Sequence, residues 1–187
     1  MAKLEILAPF ILSFEGGWSD HPNDHGGKTN MGVTLTTWKS VGYDKDMDGD
    51  IDADDLRLIN KDDVIQRVMR PWFWNKMRAD DIESQAVANI IVDWAWMSGP
   101  VNVAKRIQTI LGVKVDGVLG PITIKAINMA KPYNLFCSIW QLRKKFYKDI
   151  IIKDPSQAKF QNGWFRRLYA IHYTELIDNK GNRIYFE

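Results

Sequence analysis

The sequence predicts a mainly α-helical protein, on three observations. Apolar residues recur at helical spacing in several long runs. Glycine or proline closes most of those runs. Few stretches alternate apolar and polar residues over a useful length, which sets strand content low. With 187 residues the chain makes one domain, or one domain with two lobes.

Leu4, Leu7, Ala8, Ile11, Leu12 and Phe14 predict a first helix ending near Glu15, where Gly16-Gly17 stops it. Pro22, Asn23, Asp24, Gly26, Gly27 and Gly32 mark residues 18–34 as loop or short irregular strands. A short helix over 34–41 follows, with Thr36 or Thr37 near its start. Beyond an acidic loop at 44–55, residues 54–59 and 62–74 read as helices. The strongly apolar run 82–97 is a helix ended by Ser98-Gly99-Pro100. Residues 101–111 are amphipathic, with Val103, Ile107, Ile110 and Leu111 inward and Lys105, Arg106 and Gln108 outward. After a glycine-rich turn at 113–120, Pro121 opens a helix at the position where its missing donor does no harm. Helices over 135–151 and 165–176 complete the count.

Hydrophobic residues make up 45% of the chain and charged residues 26%, enough for a sizeable core and against disorder. The single Cys137 excludes an internal disulfide framework and a cysteine zinc cluster. His21, His25 and His172 are too few and too scattered for a metal site. The eight tryptophans favour a carbohydrate ligand, because sugar-binding clefts use flat aromatic faces. Seven Asp and one Lys give residues 44–55 a charge of −6, leaving +8 on the rest of a chain whose net charge is +2. Such a basic body suits an anionic polymer, nucleic acid or bacterial wall material. No apolar run reaches a membrane-spanning length. The N-terminus lacks a small-residue cleavage site and is interrupted by Glu5 and Pro9, so it reads as a helix of the mature fold and not as a signal peptide.

The most informative stretch is Glu15-Gly16-Gly17-Trp18 and the loop after it. A carboxyl at the end of an apolar helix, beside tryptophan, sits partly out of water. Desolvation disfavours the charged form of such a group and prepares a glutamate for general-acid duty. Together with Pro22-Asn23-Asp24 and Gly26-Gly27-Lys28-Thr29-Asn30-Met31-Gly32-Val33-Thr34, this stretch resembles the glycoside hydrolase family 108 endolysins, which are N-acetylmuramidases. That family carries a Glu-Gly-Gly-Tyr motif whose glutamate is needed for activity; here Trp18 keeps the ring and loses the phenol. Arg70-Pro71-Trp72-Phe73-Trp74, Arg78-Ala79-Asp80 and the segment from Asp93 to Pro100 continue the resemblance. Val115-Asp116-Gly117-Val118-Leu119-Gly120-Pro121-Ile122-Thr123 is similar to the turn of small helical peptidoglycan-binding modules, and residues 160–167 resemble the end of that region.

The resemblance implies a lysozyme-like helical fold with catalytic region 1–97 and a helical peptidoglycan-binding-type region, 98–187, packed on it. Most glycosidases need a second carboxylate flanking the bond. Asp24, nine residues after Glu15, and Thr29, five further on, resemble the phage-type lysozymes of glycoside hydrolase family 24, where aspartate and threonine position the attacking water. The threonine stands one residue earlier here than in that pattern, and Asp24 also suits an Asx turn. Trp18, Asp20, His25 and Asn30 are the candidate substrate-binding residues, with turn capping the competing role for His21 and His25.

The acidic loop is a separate signal. Asp44, Asp46 and Asp48 occupy positions 1, 3 and 5 of a twelve-residue EF-hand pattern, Gly49 takes position 6, Asp50 offers its carbonyl at 7 and Asp55 an acid at 12. Aspartate in place of the longer glutamate at position 12 weakens affinity or favours a smaller ion. The expected cofactor is a structural Ca2+, with none needed for catalysis. An unpaired loop of this kind is expected to staple two helices rather than act as a signalling switch.

The expected function is hydrolysis of the β-1,4 bond between N-acetylmuramic acid and N-acetylglucosamine in peptidoglycan, with Glu15 as acid. A lytic transglycosylase, a non-catalytic wall-binding protein and a calcium sensor stay open as alternatives. The expected partner is bacterial peptidoglycan and not nucleic acid, with the protein a monomer. Lacking an export signal, it reads as a phage or prophage endolysin made in the cytoplasm and released to the wall through a membrane pore, or as a cargo of other export machinery.

Overall fold

The computed structural model describes residues 1–20 and 27–186. Helix α1 (Leu4–Phe14) is followed by a small antiparallel hairpin, β1 (Thr29–Asn30) and β2 (Val33–Thr34), paired Thr29 to Thr34 and Asn30 to Val33. Then come α2 (Leu35–Val41), α3 (Ala53–Leu58) and α4 (Lys61–Asp63), the last continuing as a π-helical segment, Val64–Trp74. Helices α5 (Gln85–Ser98), α6 (Pro100–Leu111), α7 (Pro121–Met129), α8 (Pro132–Lys153) and α9 (Gln161–Tyr169) form the rest of the helical body. A second hairpin, β3 (Glu175–Ile177) and β4 (Arg183–Tyr185), closes the chain. The protein is mainly α, as its periodicity predicts.

Helix α5 is the centre. Every residue from Gln85 to Ala95 is buried, the mark of a helix surrounded by others and not lying on a surface. It packs against α1, the π-helical segment, α6 and α8. One core joins α1 and α5 to α6, α7 and α8. A smaller cluster of Val33, Trp38, Leu56, Ile59, Val64 and Val68 lies beneath the first hairpin and the acidic loop. Among the described residues no helix is long and apolar enough to cross a membrane.

Local chemistry moves several predicted boundaries. Thr34, not Thr36 or Thr37, caps α2: its hydroxyl accepts the Thr37 N–H at 3.1 Å. Ser84 caps α5 in the same way, so that helix starts after residue 82. Pro71 sits inside the π-helical segment, where the Asn75 N–H reaches the Arg70 carbonyl at 2.8 Å, five residues back. The wider turn suits a proline that would crowd an α-helical carbonyl.

Two predictions are corrected. Gln108 points inward and is 1% exposed, while Ile110 lies at the surface. The Gln108 amide donates to Asp116 Oδ1 at 2.8 Å and to the Val118 carbonyl at 2.9 Å, and its oxygen accepts the Gly117 N–H at 2.8 Å. Burial is tolerable because the turn at 113–120 satisfies the amide on both sides. The helix predicted over 165–176 instead starts at Gln161 and ends at Tyr169, and Leu176 lies in β3. Asp178 accepts the Lys180 and Asn182 N–H groups at 2.8 Å each, and Gly181 at φ +88° completes the turn.

Gln108→Leu strands the buried Gly117 N–H, while the Val118 carbonyl keeps the Gly120 N–H at 2.8 Å. The expected cost is about 1–3 kcal/mol in urea unfolding, from one unsatisfied buried donor. A denaturation midpoint equal to that of the parent would refute the role given to this amide.

Candidate active site

Helix α1 breaks at Glu15, whose backbone is extended (φ −82°, ψ 140°) and turns the side chain inward beneath the first hairpin. The side chain is 15% exposed. Its Oε1 accepts two charge-relevant donors, the Trp96 indole N–H at 2.8 Å and Arg167 Nη1 at 2.8 Å. The tip of the hairpin closes over the other oxygen. A Cβ added at Gly32 (φ +79°) would stand 2.7 Å from Glu15 Oε2, so only glycine lets the backbone come this near.

Both donors are themselves held. Trp96 packs on Phe73 with ring centroids 4.7 Å apart. Arg167, on α9, is 4% exposed and turns Nε and Nη2 to Asp93 Oδ1 at 2.9 and 2.8 Å. Asp93, fully buried on α5, meets Arg143 Nη2 of α8 at 2.7 Å through its second oxygen. Arg143 in turn donates Nε to the Tyr147 hydroxyl at 2.8 Å. Burial alone would push the Asp93 carboxyl up, but Arg167 and Arg143 outweigh it and hold the group below the usual carboxylate range. Arg167 is raised above its ordinary value, Asp93 and Glu15 offsetting its burial.

Glu15 lines two hollows that flank it. One of about 570 Å3 runs along Gly16, Gly17, Met31 and Lys61 to Asp178, Lys180 and Asn182 of the second hairpin turn. The other, about 410 Å3, is lined by Phe14, Phe160, Trp164, Arg166 and Arg167. Glu15 is thus common to the lining of both hollows, which leave room for an extended ligand on either side of it.

The predicted site residues scatter. Thr29 is half-buried in β1, and its backbone exchanges 2.9 Å hydrogen bonds with Ser19. Asp20 is exposed, 4.0 Å from Lys28. Trp18 does not supply the indole beside Glu15; it packs beneath Arg57, whose guanidinium lies 4.4 Å from the ring centroid. Asn30 is 7% exposed and donates its amide to the Leu56 carbonyl at 2.9 Å, pinning the hairpin to α3 instead of facing a ligand. Asp24 and His25 lie outside the described residues. Sequence reasoning missed Trp96, Arg167, Asp93 and Arg143 as a set. The signal was an aspartate inside an otherwise apolar helix, which demands a buried cationic partner.

In the acidic loop, the carboxylates of Asp44, Asp46 and Asp48 converge within 4.8 Å, and those of Asp50, Asp52 and Asp55 form a second such group. Asp44 accepts the N–H groups of Met47 and Gly49 at 2.6 and 2.9 Å, and Gly49 turns at φ +104°. Asp55 is fully buried, taking the Asp52 N–H at 2.7 Å on one oxygen and the Lys45 and Asp46 N–H groups on the other. Those backbone donors, the Asp52 N–H first, hold the Asp55 carboxyl low despite desolvation.

The family model described as glycosyl hydrolase 108 matches residues 8–99, and that of a predicted peptidoglycan domain matches residues 102–169. Over residues 8–99 the chain belongs to the glycosyl hydrolase 108 family. It is a glycoside hydrolase of peptidoglycan, with a lysozyme-like helical fold. The solved structure of Brucella abortus SagA is similar to it, at 29% identity over 87% of each chain and a TM-score of 0.68. No curated protein matches it. Glu15, Asp93 and Trp96 fall in the glycosyl hydrolase 108 match, whereas Arg143 and Arg167 fall in the peptidoglycan-domain match. The ion-pair chain crosses from one to the other.

Because Asp93 titrates below its unfolded value, the stability it contributes is complete above the ordinary carboxylate range and is lost as pH falls through the folded-state value. Asp93→Asn should cost about 3–5 kcal/mol at neutral pH and flatten that acid limb. Urea unfolding across an acid pH series measures both, and an unchanged limb in the variant would assign the acid sensitivity elsewhere.

Proposed function

We propose that the protein cleaves the β-1,4 bond between N-acetylmuramic acid and N-acetylglucosamine, with Glu15 as general acid. The observation that carries this reading is the placement of one poorly exposed carboxyl in the lining of both hollows. A glycan lying through both would present an internal bond to it. In this reading the glycosidic oxygen takes a proton from the Glu15 carboxyl, and as the sugar gains carbocation character the charge left on Glu15 falls against the Arg167 guanidinium and the Trp96 indole N–H, partners already in place on Oε1. Asp24, or water held by Asp24 and Thr29, would serve the opposite face of the sugar. A carboxyl separation of about 6.5–9.5 Å would make the enzyme inverting, and about 5–5.5 Å retaining. The protein acts as a monomer at the wall, in the manner of a phage or prophage endolysin that other machinery delivers.

The acidic loop fits a structural calcium ion. Asp44, Asp46 and Asp48 would supply carboxylate oxygens and Asp50 its carbonyl, with Asp55 completing the set on lone pairs not used by the backbone. The ion would neutralise seven crowded aspartates and staple α2 to α3.

Glu15→Gln is expected to slow clearance of purified wall sacculi by about 100-fold or more, the usual worth of a general acid. Equal clearance would end the assignment. Mass spectrometry of the products should show reducing sugar ends, while 1,6-anhydro ends would replace hydrolysis with transglycosylation. For the loop, calcium at about 100 times its dissociation constant should stabilise the fold by about 2.7 kcal/mol. A thermal midpoint that ignores both calcium and chelator, or responds equally in Asp46→Ala, would remove the ion.

A further inference from the structure

The second hairpin lies outside both matched segments, 8–99 and 102–169, yet its turn stands in the larger hollow beside Glu15. Lys180 of that turn lines the hollow, and so does Lys61, the first residue of α4. Both lysines are exposed, and among the described residues neither lies within ion-pair distance of a carboxylate. Leu12 and Ile65 add apolar surface that suits the C–H face of a sugar.

The charges around the two lysines are already engaged. Asp63, two residues after Lys61, pairs with Lys45 at 2.6 Å. Arg183, the other cation of the hairpin, pairs with Glu175 at 3.0 Å. Asp178 also lines the hollow, but the turn occupies both its oxygens. Oδ1 accepts the Lys180 and Asn182 N–H groups, and Oδ2 the Asn182 side-chain amide, all at 2.8 Å. The turn itself is held from two sides: the Asn179 N–H meets Ser13 Oγ at 2.9 Å, and Arg166 Nη2 donates to the Asn179 carbonyl at 3.1 Å. Lys180 is therefore presented from a fixed backbone. The smaller hollow has cations too, but they have partners. Arg167 meets Asp93 and Glu15, Arg166 the Asn179 carbonyl, and Lys159 lies 4.9 Å from the Phe160 ring centroid.

We propose that Lys61 and Lys180 bind a carboxylate of the peptide that N-acetylmuramic acid carries, which makes the larger hollow the subsite of the peptide-bearing sugar. The inference rests on Glu15 cutting the glycan of peptidoglycan beside that sugar. Of the two sugars only N-acetylmuramic acid bears a peptide, and N-acetylglucosamine is neutral, so a pair of free cations on one side of the cut tells them apart. Glu15 lines the same hollow, so the anion held there belongs to the strand being cut and not to a separate wall polymer. The C-terminal hairpin is in this way an element of substrate specificity.

The test compares kcat/KM on soluble glycan strands bearing intact peptides with kcat/KM on the same strands after their peptide carboxylates are converted to primary amides. The unaltered protein should prefer the charged strands, and added salt should shrink that preference. In the double variant Lys61→Gln, Lys180→Gln the ratio should fall about fivefold, the effect of losing two exposed charge pairs. Lys61→Arg with Lys180→Arg keeps both charges and should keep the ratio. No preference in the unaltered protein overturns the proposal. An equal loss on both strands in the glutamine variant overturns it as well, since the ratio then stays where it was. So does an arginine variant that loses as much as the glutamine one, because charge would not be what is read. Failure of the Glu15 assignment shows separately: Glu15→Gln would cut both kinds of strand at the parent rate, whatever the lysines did to the ratio.

Discussion

A buried chain of charges, Arg143 to Asp93 to Arg167 to Glu15, is the constraint on which the rest of the structure depends. Asp93 lies at the middle of a helix with no exposed residue for three turns. An unpaired carboxylate there would cost several kcal/mol, so the fold must bring it cations. They come from α8 and α9, which the sequence places far downstream. Docking those two helices on α5 therefore satisfies the core and, in the same act, delivers Arg167 to Glu15. The peptidoglycan-domain segment is thus part of what holds Glu15 in place and not an appendage tethered to the first segment.

The opposite wall is built from backbone. The first hairpin comes down on the Glu15 carboxylate through Gly32, and Asn30 ties that hairpin to α3. The acidic loop leads directly into α3, where Asp55 gathers backbone N–H groups from both ends of the loop. Lys45 adds a 2.6 Å ion pair to Asp63 on α4. Whatever fixes the loop also fixes α3, and through Asn30 the roof over the glutamate. The second hairpin extends the cleft on its far side, anchored where the Asn179 N–H meets Ser13 Oγ of α1 at 2.9 Å.

Much of this was legible in local pattern. The end of α1 at Glu15, the apolar α5 and its Gly99-Pro100 stop, and the Gly49 turn of the acidic loop all follow from short-range rules of spacing and backbone freedom. What failed, failed for long-range reasons. Gln108 looks outward by composition and turns inward because a turn several residues on needs its amide. The C-terminal hairpin hid behind helix-compatible residues, since strands of three residues leave too short an alternation to read. Trp18 stood next to Glu15 in the chain, yet the indole that reaches it is Trp96, 81 residues away.

The sequence by itself determined the helical class, the place where the first helix surrenders a glutamate, and the spacing of the aspartates, because each depends on neighbours within a few residues. Only the tertiary structure decided which groups surround that glutamate. A buried charge is indifferent to sequence distance and is satisfied by whichever guanidinium the packing of helices can bring within hydrogen-bond reach.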